Sequence, residues 1–87
     1  MKKLATFTLG ILLAGATLAN AAGFISAATA DKDALAATHG GRVVQTVLES
    51  TDNPPHYSVD IVKTNGAEYE VWVDAKTGKI LSVIVGG

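Results

Sequence analysis

Residues 67–85 read AEYEVWVDAKTGKILSVIV and decide the fold, because they contain two strands joined by a tight turn. Apolar residues at 69, 71 and 73 alternate with acidic residues, the period-2 pattern of a strand with one buried and one solvated face. Trp72 interrupts this alternation. Asp74 supplies a side-chain acceptor at the start of the turn, and Gly78 supplies a left-handed residue. The stretch predicts a β-hairpin onto which the upstream chain packs.

The preceding strand, residues 56–63, shows the same alternation and ends at Asn65-Gly66. A two-residue loop there would mix the polar and apolar faces, whereas a three-residue loop, residues 64–66, matches them. We therefore predict the longer loop. On the apolar face the predicted pairs are Ile61 with Tyr69, Val59 with Val71, and Tyr57 with Val73; on the outer face they are Asp60 with Glu70, Ser58 with Trp72, and His56 with Asp74.

The last strand follows a predicted four-residue loop at residues 75–78. This loop length sets Val73 opposite Ile80. We also predict Val71 opposite Ser82 and Tyr69 opposite Ile84. Leu81 and Val83 then join Trp72 on the outer face.

Upstream, Ser26 is a favourable N-cap for a helix predicted from Ala27 to about Thr38, and the glycines at 40 and 41 are expected to end it. Small residues at spacings of three and four form a stripe that lets the helix lie close to a sheet. The stripe consists of Ala30, Ala34 and Ala37, with Leu35 beside them.

Residues 42–50 are rich in Val and Thr and read as a strand that ends before the loop at Pro54-Pro55. Its face assignment is ambiguous, and we favour Val44, Thr46 and Leu48 on the apolar side because Gln45 and Glu49 share the other side. The predicted fold class is α+β, with one N-terminal helix packed on a four-stranded antiparallel meander.

Residues 1–21 have the three parts of a secretory signal peptide. Lys2 and Lys3 form the positive n-region, residues 4–18 the apolar h-region, and residues 19–21 a small-x-small cleavage site. As a helix, the apolar run spans about 22 Å, less than the roughly 30 Å hydrocarbon layer. We predict cleavage, a mature domain of residues 22–87, and an exported, periplasmic or secreted protein with no stable membrane anchor. An uncleaved anchor is the alternative.

Composition limits the classes of function. The chain lacks cysteine, so the exported domain forms without disulfides and depends on its core alone. Without Lys2 and Lys3 it carries five basic and eight acidic residues, a formal charge of −3. This balance argues against a nucleic-acid partner.

The mature sequence resembles the PepSY domain family over essentially its whole length. The residues that carry the resemblance are Ile25-Ser26, Ala30, Ala34, Gly41, Val43, 47–49, Tyr57-x-Val59, Gly66, Tyr69-x-Val71-x-Val73-Asp74-Ala75 and Thr77-Gly78-Lys79. PepSY modules occur in propeptides of secreted metallopeptidases and in many exported proteins, and the family is proposed to restrain peptidases. The resemblance therefore implies a protein-binding module that regulates a peptidase. Since no peptidase domain follows Gly87, we expect it to act on a separate protein.

Catalytic chemistry is not indicated by the sequence. No serine lies in a nucleophile-elbow context, no cysteine is available to pair with a histidine, and no HExxH or Cys/His cluster is present. We expect a non-enzymatic protein without catalytic residues, bound metal or cofactor.

Two surfaces remain as candidate sites, and each supports a different function. Trp72, Glu70, Leu81 and Val83 would form a partner-binding patch, because aromatic residues dominate interface hot spots. The loop at Pro54-Pro55 or sheet curvature could instead cover the tryptophan. The alternative function is cation binding or stress response through an acidic face. Its candidate ligands are Asp60, Glu68, Glu70 and Asp74, where opposed like charges would favour a bound cation or a basic partner.

Overall fold

The segment before the first helix is hydrogen-bonded to Tyr57 and Ala75, which belong to the sheet and the turn that follows its third strand. The computed structural model describes residues 23–86. The Ile25 amide donates to the Ala75 carbonyl (2.7 Å), and the Tyr57 hydroxyl donates to the Ile25 carbonyl (2.7 Å). The predicted signal peptide and its cleavage site lie outside the described residues.

Helix α1 spans Ala27–Thr38, as predicted, and Ser26 is its N-cap, with its hydroxyl accepting from the Thr29 amide at 3.1 Å. The predicted small-residue stripe faces the sheet. Ala30 and Ala34 are fully buried, Leu35 and Ala37 pack at the edge of the core, and Ala36 is exposed.

The end of α1 differs in detail from the prediction. His39, not a glycine, takes the first left-handed position (φ 61°), and the Gly40 amide donates to the Leu35 carbonyl at 2.9 Å. Gly41 is required for another reason: at φ +119° a Cβ there would lie 2.7 Å from a methyl carbon of Ile61. The Lys63 ammonium group donates to the Thr38 carbonyl (2.7 Å), which satisfies a free carbonyl at the negative end of the helix dipole.

The sheet is an antiparallel meander in the order β1-β2-β3-β4, so the predicted α+β architecture is confirmed. The strands are β1 (Arg42–Glu49), β2 (His56–Val62), β3 (Glu68–Asp74) and β4 (Ile80–Gly86). Helix α1 covers one face of the sheet, which we call the helix face. The opposite side is called the outer face.

All six predicted β2–β3 pairs are confirmed, including Ile61 with Tyr69 and Asp60 with Glu70. The three-residue loop is also as predicted: the Lys63 amide donates to the Ala67 carbonyl (2.8 Å), and Gly66 is left-handed (φ +90°). Together the two central strands supply the large fully buried core side chains Tyr57, Val59, Ile61, Val71 and Val73.

The register of β4 differs from the prediction. Val73 pairs with Ile80 as expected, but a bulge follows, so that Ser82 pairs with Trp72 and Val83 with Val71. The predicted ladder would have set the Ser82 hydroxyl against the buried Val71, whereas the bulge sets an apolar residue there. Val83 therefore belongs to the helix face, and its predicted place beside Trp72 was wrong.

A second bulge corrects the face assignment in β1. Thr46 and Leu48 lie on the helix face as predicted, opposite Val59 and Tyr57. The register shifts between Val43 and Gln45, which places Val43 opposite Ile61 and leaves Val44 exposed. Val44 was therefore assigned to the wrong environment, because one extra residue reverses the alternation.

Candidate functional site

The outer face is strongly acidic. Directly paired residues of an antiparallel sheet lie on the same side, so the register defines this surface. Among the described strand residues on it, Arg42 is the only arginine or lysine, and His56 also lies on this face. The carboxylates on it are Glu49, Asp60, Glu68, Glu70 and Asp74. A positively charged partner would be attracted to this side of the sheet.

Asp60 lies at the centre of this face and is only 3% exposed. Burial, followed by the negative charges of Glu70 and Glu68, raises the pKa of Asp60 to about 7. This shift favours the protonated carboxyl group over the carboxylate. A proton is one way in which the repulsion predicted for the opposed Asp60 and Glu70 is relieved.

Of the four carboxylates suggested as cation ligands, Asp60 lies on β2 opposite Glu70, and the other three are spread along β3. Alternate residues of a strand lie about 6.6 Å apart, so Asp74 is about 13 Å from Glu70 and about 20 Å from Glu68. Asp74 also has another role, because its carboxylate accepts the amides of Lys76 (2.8 Å) and Thr77 (3.0 Å). These bonds lower the pKa of Asp74. Within residues 23–86, no group of three or more His, Cys, Asp or Glu residues is arranged to hold a metal ion.

Trp72 is held in a defined orientation on the outer face. Its indole Nε1 donates to Glu70 Oε2 at 2.8 Å, and its ring stacks on His56 with the ring centroids 4.4 Å apart and the planes inclined by 20°. Trp72 is half-buried, whereas His56 is only 4% exposed. A fixed aromatic ring loses little conformational freedom when a partner binds.

Beside Trp72, the loop between β1 and β2 and the sheet line an open cavity of about 400 Å³. Loop residues Asp52, Asn53 and Pro54 form one side, and strand residues His56, Trp72, Leu81 and Ser82 form the other. The Asn53–Pro54 peptide bond is cis. The alternative interpretation, in which this loop covers Trp72, holds only in part, because the indole is half-buried beside the loop.

Sequence reasoning did not identify His56 and Asp52 as part of this site. His56 Nδ1 lies 3.0 Å from the Pro54 carbonyl oxygen, and His56 Nε2 lies 3.9 Å from Asp52 Oδ2. One signal in the sequence was available. His56 directly follows Pro54-Pro55, and its predicted pair with Asp74 lies beside the predicted pair of Ser58 with Trp72 on the same face. The bulge in β4 also brings Leu81 to the cavity and removes Val83 from this face, which leaves Trp72, Glu70 and Leu81 together.

The fold and this surface define a small α+β domain in which one helix covers one side of a four-stranded meander. The model of the PepSY family, described as "Peptidase propeptide and YPEB domain", matches residues 24–84, so the chain belongs to this family. PepSY domains are generally propeptide-like or regulatory modules rather than catalytic ones, and they are typical of exported proteins. Searches of curated protein sequences and of solved structures found no significant match.

No helix within residues 23–86 is long and apolar enough to cross a bilayer.

Proposed function

We propose that this PepSY domain is an exported, non-enzymatic module that binds another protein through its outer face and regulates or inhibits a peptidase in trans. The observation that carries the proposal is the placement of Trp72. A large aromatic side chain is fixed by His56 and Glu70 on the side of the sheet that α1 leaves uncovered, next to an open cavity.

Family membership supports the regulatory part of this proposal, because PepSY domains act as propeptide-like or regulatory modules. The amino-terminal pattern of Lys2, Lys3 and the apolar run supports export. The bulge narrows the proposed contact surface to Trp72, Glu70 and Leu81. Val83, expected from the sequence to contribute, lies on the helix face and is not needed.

Replacement of Trp72 by alanine tests this function directly. The partner is first captured from envelope extract with the mature domain, purified, and its affinity measured by calorimetry. Trp72→Ala should weaken binding by about 2 kcal/mol or more, as expected for an aromatic hot spot. Val85→Ala is the matched control, because Val85 is 69% exposed and pairs with Tyr69 on the helix face. It should leave the affinity unchanged.

Two readouts decide the outcome. Circular dichroism and thermal unfolding must first show that the Trp72→Ala protein is folded; if it unfolds, Trp72 belongs to the core and the proposed binding face is lost. If the folded variant binds as tightly as the original protein, the outer face is not the contact surface. Inhibition of the purified partner, where that partner is a peptidase, tests the regulatory role separately.

A further inference from the structure

His56 and Asp52 place two hydrogen-bond acceptors side by side at the wall of the cavity. A carbonyl oxygen can only accept, so the 3.0 Å contact with Pro54 requires the His56 proton to sit on Nδ1. In the neutral ring, Nε2 is then an acceptor, and it faces the Asp52 carboxylate at 3.9 Å. That separation is too long for a hydrogen bond. A donor group of positive charge placed between these atoms would satisfy both.

The remaining cavity walls favour a particular kind of cation. Pro54, Trp72 and Leu81 present apolar or aromatic surface, and the volume of about 400 Å³ lies within the range of small-ligand sites. A guanidinium group is planar, carries five donors, stacks on aromatic rings and is more weakly hydrated than an ammonium group. It therefore loses less hydration than a lysine side chain on entering such a cavity.

The charge of the surrounding surface agrees with this choice. Two carboxylates lie at or near the cavity. Asp52 is in its wall with its side chain 52% exposed, and Glu70 accepts a hydrogen bond from the Trp72 indole. Arg42, the only arginine or lysine among the described strand residues of the outer face, pairs with Val62 at the far end of the sheet from His56. The cavity is open to solvent, so a cation from outside the domain can reach it.

We propose that this cavity is a binding site for the guanidinium group of an arginine side chain that a protein partner presents to the outer face. The guanidinium donates to Asp52 Oδ2 and His56 Nε2 and lies against the apolar wall. This inference rests on the proposed function for the source of the arginine, and the binding chemistry can be tested without any partner.

The test is a nuclear magnetic resonance titration of the mature domain with N-acetyl-arginine N-methylamide, which carries the side chain and flanking peptide groups. The Trp72 indole and His56 ring signals should shift in a saturable manner, with a Kd on the order of 1 mM for a ligand of this size. The citrulline analogue, neutral but of the same shape, should bind at least about 10-fold more weakly, and the lysine analogue should also bind more weakly than arginine. Free arginine as a further arm shows whether the peptide groups contribute.

A pair of charge-removing variants locates the site. Asp52→Asn should weaken arginine binding about 5-fold or more, since a charge-assisted hydrogen bond becomes a neutral one. Asp33→Asn removes the same charge from α1, on the other side of the sheet, and should have no effect. Because Asp52 lies in an exposed loop, its replacement should not alter thermal unfolding.

Three results would overturn the proposal: equal binding of the arginine and citrulline compounds, no effect of Asp52→Asn, or a free protein in which His56 Nε2 is already protonated and bonded to Asp52. Long-range ¹H–¹⁵N spectra report this protonation directly. Failure here with continued loss of partner capture in Trp72→Ala rejects the arginine site and leaves the protein-binding function intact. Arginine binding without a Trp72→Ala effect on partner capture rejects the function alone.

Discussion

The two faces of the sheet are built from the same strands and are both poorly accessible at their centres, but for different reasons. On the helix face, Tyr57, Val59 and Ile61 are buried because α1 covers them. On the outer face, His56 and Asp60 are 4% and 3% exposed although α1 lies on the other side of the sheet, and the Trp72 ring stacks on His56. On the helix face, packing against α1 limits the size of the side chains that fit. On the outer face, the buried groups are polar, so their protonation and hydrogen-bond partners can change.

The largest expected effect tests whether the space between α1 and the sheet can hold a larger side chain. Ala34 is fully buried between α1 and the sheet, so Ala34→Leu should overpack the contact and lower the free energy of unfolding by about 1 to 3 kcal/mol. Ala36 is exposed on the same helix, and Ala36→Leu should change stability by less than about 0.5 kcal/mol. Urea unfolding of both variants measures the difference. A larger loss for Ala36→Leu would mean that the helix lies on the sheet with a different face.

The next effect concerns protonation on the outer face. The pKa of Asp60 is raised to about 7, so the folded protein holds this proton more tightly than the unfolded chain does. The stability linked to Asp60 is therefore greatest below about pH 4 and is lost as the pH rises through about 7. Asp60→Asn should remove this dependence and raise the free energy of unfolding at about pH 8 by about 1 to 2 kcal/mol, after allowance for solvent screening.

Asp74 is the matched control on the same face of the sheet, and its pKa is shifted in the opposite direction. The amides of Lys76 and Thr77 lower the pKa of Asp74, so its contribution to stability is present above the ordinary value of 3.8 and is lost as the pH falls through the folded value. Asp74→Asn should therefore destabilise the domain at neutral pH. Urea unfolding at a series of pH values measures both variants. A similar loss of stability in Asp60→Asn would show that the Asp60 carboxylate is favourably bound in the fold.

The comparison also shows which parts of the fold could be predicted from the sequence. Strands β2 and β3 are central and paired on both sides, so the matching of apolar residues and the turn at Asn65-Gly66 fixed their register. The errors lie in β1 and β4, which are edge strands with one neighbour each. A bulge in an edge strand disrupts one ladder instead of two, so a single extra residue is tolerated there. No simple alternation in the sequence marks where it is inserted.

The candidate site was predictable to a similar degree. Trp72, Glu70 and Asp60 are residues of the central strands, and the predicted pairing placed them on the outer face. The cavity depends on the path of the loop between β1 and β2 and on the bulge at Leu81, and both are set by tertiary packing. For this reason the position of Asp52 beside His56 could not be predicted from the sequence.

The smallest expected effect tests which face each residue after the β4 bulge occupies. Leu81 and Val83 are 39% and 44% exposed, so Leu81→Ser and Val83→Ser should each cost only about 0.5 to 1 kcal/mol in the free energy of unfolding. Their effects on Trp72 should differ, because Leu81 lines the cavity beside the indole whereas Val83 pairs with Val71 on the helix face. Leu81→Ser should shift the Trp72 fluorescence maximum and its indole Nε1–H resonance, and Val83→Ser should leave both unchanged. If Val83→Ser shifted these Trp72 signals more than Leu81→Ser did, the β4 bulge would be wrong. The register predicted from the sequence, with Ser82 opposite Val71 and Val83 on the outer face, would then be supported.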